Sequence, residues 1–319
     1  MADIELKRCG LGGSDAGAIF GVHPWRDQYS VYLEKMGLLP PPEPSMRMRL
    51  GKLLEQPIAQ LFQEETGYEV RWHDRTTVHP VCKWLVTTAD AFILGRPVRA
   101  GLDCKLVGWD QRRKWQDEVP QYIVVQAWTY MAAYDCDEWH IAALIGDELR
   151  VYVIRRDAAV EKALLARLEE WWTRYILGSE EPPLGGSAAT TEWLQAAYPN
   201  HGPVRPATRD EIALLEQYAE VRNEIALLKP AKDTLENQLR RACADVEAIT
   251  WEHGRFSWKK TKDTEFVNWE AIARSLIAAG GLQDSDNVKK LIGAFTAVRP
   301  GSRRIRFDCD QSEAEADAA

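Results

Sequence analysis

The sequence of 319 residues has no apolar run approaching the roughly 20 residues that a membrane-spanning helix needs. Its opening stretch, MADIELKRCG, has no apolar core of the kind a secretory signal carries. The six cysteines (9, 82, 104, 136, 243 and 309) are widely spaced and none sits in a Cys-x-x-Cys pair. That argues against a zinc or iron–sulfur framework and implies no disulfide scaffold. A reducing, cytoplasmic setting with no membrane partner is the expectation. The Gly-Gly-Ser turn near the start lacks the lysine–hydroxyl ending of a phosphate-binding P-loop, which argues against nucleotide binding by that device. Net positive charge is also lacking. A net charge of −8 speaks against coating nucleic acid by global attraction, although the field that matters at a site is local.

What is present is ordinary for a soluble globular chain: 45% apolar and 28% charged residues, enough length for one core domain and a smaller appendage. The 13 tryptophans are many for this length. Most are expected in the core, with Trp171 and Trp172 as candidate interface residues.

The chemistry-bearing residues concentrate between Trp84 and Gln126. WLVTTADAFIL reads as a strand carrying Asp90, and AGLDCK follows with Asp103 and Lys105 two residues apart. On a strand over 100–106 those two side chains share a face. Asp90, from the preceding strand, can reach the same place. Two carboxylates suit a hard divalent cation, and a lysine beside them can orient or help deprotonate a water, which fits metal-assisted hydrolysis of a phosphodiester. A solvated strand face is the plainer reading of Asp-x-Lys alone. PQYIVVQ then starts a helix with Pro120 at its beginning, and Tyr122, Gln126 and Tyr130 recur on one face.

Around this stretch, Gly12–Gly13 turns into a helix over 15–20 with Ser14 as N-cap, either a plain capped helix or, with Arg8, an anion seat. Helices are predicted over 27–37 and 45–66, the second carrying Glu55 and Pro57, and a strand over 68–72. TTVHP reads as a turn or short strand. Arg112, Arg113 and Lys114 form a basic cluster that meets a DNA backbone or marks an exposed strand edge. A hairpin turns at Gly146–Asp147, and an amphipathic helix spans 158–177. This succession predicts an α/β (α+β) sheet flanked by helices.

Residues 179–207 read as a linker with one short helix. Thr208 opens a helix with a capping box, which Pro230 interrupts, giving a helical hairpin or a kinked coiled-coil arm up to about 244. A β-hairpin turned at Gly254, a helix over 266–279 and a strand at RRIRF (303–307) complete a small mixed unit over 208–309. The acidic tail 310–319 is expected to be disordered.

The ordered set GGSD, LGKLLEQ, TTADA, GLDCK and VPQYIVVQ resembles the YqaJ-type phage recombinases, lambda-exonuclease-like members of the PD-(D/E)XK nuclease superfamily. The resemblance covers residues 8–175 and implies a restriction-endonuclease-like mixed central sheet within residues 1–178. It implies a Mg²⁺-dependent deoxyribonuclease, with Mn²⁺ as substitute, acting 5′→3′ on duplex ends. Asp90, Asp103 and the Cys104 backbone carbonyl would hold metal, with Glu55 binding directly or through water. Lys105 would position the attacking water, Gln126 would orient the lysine or the water, and Arg8 and Ser14 would lie at the 5′-phosphate. A ring-shaped trimer and a single-strand annealing protein are the implied assembly and partner. Two positions depart from the pattern: Asp103 stands where Glu is usual, and Ala91 follows Asp90 where relatives often have Gly. An endonuclease of the same superfamily and a non-catalytic DNA-binding module are the alternatives.

Overall fold

The computed structural model describes residues 9–39, 44–73, 75–116, 118–251, 254–259, 269–280 and 286. It divides into two compact units, Met1–Tyr198 and Pro199–Ala319. Among the described residues no helix is long and apolar enough to cross a membrane.

The first unit is a mixed α/β layered structure. It opens with α1 (Gly13–Ile19), α2 (Gln28–Lys35) and α3 (Met46–Thr66). Five short or medium strands follow: β1 (Val70–Trp72), β2 (Thr76–Val78), β3 (Val86–Thr88), β4 (Ala91–Ile93) and β5 (Ala100–Val107). A 3₁₀ helix (Trp109–Trp115) leads to α4 (Gln121–Tyr134), the hairpin β6 (Glu138–Ile145) and β7 (Glu148–Arg155), and α5 (Ala158–Trp171), whose last turns widen to a π-helix over Trp172–Leu177. α6 (Ala188–Ala197) closes the unit.

The main sheet has the order β1-β4-β5-β6-β7, with β2 and β3 forming a separate ribbon. Within this sheet β5 and β6 run parallel and the other neighbours antiparallel. A parallel pair needs a crossover, and α4 supplies it. β5 is therefore central and covered on both sides. Leu102 and Cys104 face Ile58, Ala59 and Phe62 of α3. The opposite face packs on Ile123, Ala127 and Met131 of α4, with Trp139, Ile141 and Ala143 from β6. A third cluster lays α1, α2 and α5 together, and Trp171 and Trp172 are buried in it. Those two tryptophans are core residues of this unit, not surface material for an interface.

Several expected boundaries shift for physical reasons. The TADAF run is not one strand: Asp90 lies in the bend between β3 and β4, which belong to different sheets. The basic segment after β5 is a 3₁₀ helix and not a strand edge. α6 does not float in a linker. Asp27, the N-cap of α2, also accepts from the Ser187 N–H at 2.8 Å and the Thr190 hydroxyl at 2.9 Å, and Tyr29 packs on Trp193. The first unit therefore continues past 178 to Tyr198, leaving 199–207 as the irregular connection.

The second unit begins with α7 (Arg209–Ala242), capped by Thr208 with Glu211 reaching back to the Thr208 N–H. α7 runs without interruption through Pro230, so neither the break nor the helical hairpin expected there is present. The β8–β9 hairpin (Ala248–Trp251, Gly254–Ser257) and α8 (Trp269–Ala279) follow. The expected strand at 303–307 and the acidic tail lie outside the described residues.

Candidate active site

The site forms where β5 outruns β4. The antiparallel register pairs Ile93 with Ala100, Phe92 with Gly101 and Ala91 with Leu102, and there β4 ends. Continuing that register places Asp90 opposite Asp103, and opposite residues in an antiparallel pair share a face. Past the end of that pairing Asp90 bonds β5 through its side chain, Oδ2 accepting from the Cys104 N–H at 2.9 Å, while its carbonyl accepts from the His73 N–H at 2.9 Å. Asp103 is buried, and the Lys105 ammonium stands 2.6 Å from its Oδ2. The expected convergence of Asp90, Asp103 and Lys105 is present.

The electrostatics follow from that packing. Burial, reinforced by the Asp103 carboxylate, pushes Asp90 up to about 7, against the opposing pull of Lys105. Burial works against the Lys105 charge, but Asp103 outweighs it and holds the lysine as an ammonium ion well above the usual lysine range. Two acidic groups in one poorly hydrated place, with one lysine between them, leave the site short of positive charge. That donor set fits a hard divalent cation, which takes carboxylate and carbonyl oxygens and keeps several waters. It is not a closed cage. Among the described residues no three His, Cys, Asp or Glu side chains stand together as a ready ligand set. Glu55, on α3, is near enough for its charge to raise Asp90, yet its Oε2 is paired with Lys52 Nζ at 2.6 Å.

Gln126 does not bond Lys105. Its amide donates to the Tyr130 hydroxyl at 2.8 Å. Tyr130 is buried, and burial together with Asp103 pushes its phenol above the usual range. The glycine turn belongs to this same place. A methyl group on Gly13 would stand 2.7 Å from the Tyr130 ring and 3.1 Å from Gln126 Cγ, so the turn is glycine because α1 presses directly against the site helix.

The N-terminus of α1 differs from the expected anion seat. Gly12 is the N-cap, with Ser14 inside the helix and exposed. The Gly12 N–H is taken by Asp15 Oδ2 at 2.9 Å, and Asp15 is paired with Arg26 at 2.9 Å and Lys35 at 2.7 Å. The protein supplies its own buried anion there. Arg8 lies outside the described residues. Arg112 and Arg113 are exposed, and the Arg112 guanidinium lies 4.7 Å over the Trp109 ring.

Sequence reading missed a pocket beside Lys105. Trp25, Arg47, Lys114 and Tyr122 line it, brought from the α1–α2 loop, α3, the 3₁₀ helix and α4. Trp25 is 60% exposed and meets Tyr122 edge-on at 6.0 Å. Cations and aromatic faces beside the carboxylates suit a polyanion with stacked rings. No local motif announces this grouping, because its members come from four separate elements.

Residues 4–137 match the model of a YqaJ-like viral recombinase domain. The chain is 29% identical over 249 residues to the uncharacterized protein YqaJ of Bacillus subtilis strain 168, covering 76% of this chain and 77% of that one. Among solved structures, an alkaline exonuclease from Laribacter hongkongensis is 13% identical, covers 56% of this chain and 93% of its own, and superposes with a TM-score of 0.48. A phage-related exonuclease from Haemophilus somnus 129PT is likewise 13% identical, with 56% and 99% covered and a TM-score of 0.42.

Proposed function

Because residues 4–137 match the model of a YqaJ-like viral recombinase domain, we propose that the chain is a divalent-cation-dependent DNA nuclease that degrades duplex ends from the 5′ side. The observation that carries this is the Asp90–Asp103 pair with Lys105 at the open end of β5. Asp90 and Asp103 would hold Mg²⁺ or Mn²⁺, with the Cys104 carbonyl and Glu55 as further oxygen donors. When bound, such an ion lowers the pKa of a water and stabilises the charge that builds on a phosphate under attack.

The chain's own residues divide the remaining work. Lys105, paired with Asp103 at 2.6 Å, steadies negative charge at the scissile phosphate and orients the water. Tyr130 and Gln126 brace the face on which Asp103 and Lys105 project. Arg47 and Lys114 attract the DNA backbone toward the site, and the Trp25–Tyr122 aromatics beside them offer bases a stacking face. Arg112 and Arg113 extend that basic surface.

The test is a side-by-side digestion, with Mg²⁺, of linear duplex bearing a 5′-phosphate, linear duplex bearing a 5′-hydroxyl, and closed circular DNA. Loss of the linear substrates alone supports an exonuclease, and faster loss of the phosphorylated one supports end recognition. Cutting of the circle moves the activity to an endonuclease. No cutting of any substrate overturns the enzymatic reading in favour of a DNA-binding module.

A further inference from the structure

The loop between α1 and α2 carries Trp25, whose ring is 60% exposed at the edge of the Lys105 pocket. Burying so large a ring would contribute much to the fold, and this one is left open. Its backbone is nevertheless held. The Val22 and His23 N–H groups donate to the Gly17 carbonyl at 3.0 and 3.1 Å, so the loop begins fixed to α1. Gly17 in turn lies against α4: a methyl group there would stand 3.2 Å from Tyr122 Cβ. At the far end, Arg26 is paired with Asp15 at 2.9 Å and Glu34 at 2.6 Å. Between these anchors Pro24 has no N–H to give. The Trp25 and Arg26 N–H groups both donate to His23 Nδ1, at 3.2 and 3.1 Å. Asn and Asp side chains close the same kind of turn on the backbone just after them. The His23 ring also meets Tyr122 edge-on at 5.3 Å and Trp25 at 5.7 Å.

We propose that His23 is a positioning residue that holds the Trp25 ring beside Lys105 as a platform on which one base of the DNA substrate stacks. The inference rests on the nuclease reading for its substrate. A base stacks on an aromatic face whatever its sequence, and the cations that share the pocket, Arg47 and Lys114, suit the phosphates on either side of that base. A loop tryptophan that had to be ordered on binding would lose part of that gain, and His23 orders it beforehand. The turn needs a lone pair on Nδ1, so the imidazole is neutral with its proton on Nε2. Burial and the nearby Arg26 guanidinium, against the pull of Asp15, bring His23 down to about 4, which keeps Nδ1 an acceptor at neutral pH. His23 touches neither Asp90 nor Asp103 in this arrangement; it acts through Trp25.

The experiment has two arms. The first is steady-state digestion of 5′-phosphorylated linear duplex with Mg²⁺ by the full chain, its His23→Ala, His23→Asn and Trp25→Ala variants, and the His23→Ala/Trp25→Ala double variant. The expected result is a KM raised about tenfold by either alanine change, the share of one stacked base, with the loss in kcat much smaller. The double variant should be no worse than Trp25→Ala alone, because His23 acts through that ring. His23→Asn should recover the wild-type KM, since its amide oxygen stands where Nδ1 does. The second arm places 2-aminopurine in turn at each nucleotide near the 5′ end and follows its fluorescence on binding to Asp103→Asn chains, which are expected to hold duplex without cutting it. Quenching at one position, lost with Trp25→Ala or His23→Ala and kept with His23→Asn, supports the platform. An unchanged KM in His23→Ala overturns the proposal, as do additive losses in the double variant, equal losses for His23→Asn and His23→Ala, or quenching at no position. A wild type that cuts no duplex overturns the nuclease reading instead, and the fluorescence arm, run then on the wild type, still decides the platform.

Discussion

Asp103 and Lys105 illustrate how much can hang on two adjacent same-face positions. Replacing Asp103 by Asn keeps the shape and removes the charge that both fixes Lys105 and would hold a cation. Asp103→Asn and Lys105→Ala are each expected to lower cleavage by about 10²–10³-fold or more, the loss seen when a preorganised electrostatic group is removed. Circular dichroism and duplex affinity should stay near wild type; retained cleavage in both variants would sink the site assignment. Asp15 makes a different prediction. Burial works to raise its pKa, but Lys35 and Arg26 outweigh it and hold the carboxyl at about 2. Its folded pKa is below its unfolded value of about 3.9. The resulting stability, roughly 2 kcal/mol, is present above pH 4 and lost as pH falls from about 4 toward 2. Asp15→Asn should remove that acid-dependent component and lower stability by about 3 kcal/mol at neutral pH, since Lys35 and Arg26 each lose a buried carboxylate partner. Denaturant melts across pH would measure both effects.

Elements carry the next set of constraints. β5 runs so close to β6 that a methyl group on Gly101 would stand 2.2 Å from the Trp139 ring, which is itself buried. Gly101→Ala is expected to cost about 1–3 kcal/mol through overpacking, read as a lower midpoint in a urea melt. Gly13→Ala pushes α1 away from Tyr130 and Gln126 and should lower cleavage more than its stability loss explains. In α7, a proline in a helix interior is about 3 kcal/mol less favourable than alanine. Pro230 is exposed within α7, so Pro230→Ala is expected to raise the melting temperature of the second unit, which calorimetry would measure.

For the whole molecule, the division into two units has a direct consequence. Residues 199–207 are exposed and without regular structure, between α6 docked on α2 and the capped start of α7. A broad-specificity protease should cut there first and yield a fragment ending near Tyr198. Early cutting around 178–187 instead would contradict the docking of α6 through Asp27.

The sequence by itself determined the elements whose causes are local: α3 from Ser45 to Gly67, the Gly146 hairpin, the strand bearing Asp103 and Lys105, and the capping box at Thr208. It also determined that Asp103 and Lys105 share a face, because strand periodicity is a property of the backbone. Only the tertiary structure decided where strands end and what meets across them. Asp90 left its strand because β3 and β4 join different sheets, and Gly13 is glycine because a distant tyrosine presses on it. α6 joined the first unit through an aspartate about 160 residues away in the chain. The helix continued through Pro230 because one lost backbone bond at the solvent side is outweighed by the good helix formers around it. Burial, and the choice of which charges lie side by side, are long-range sums that no short window of residues contains.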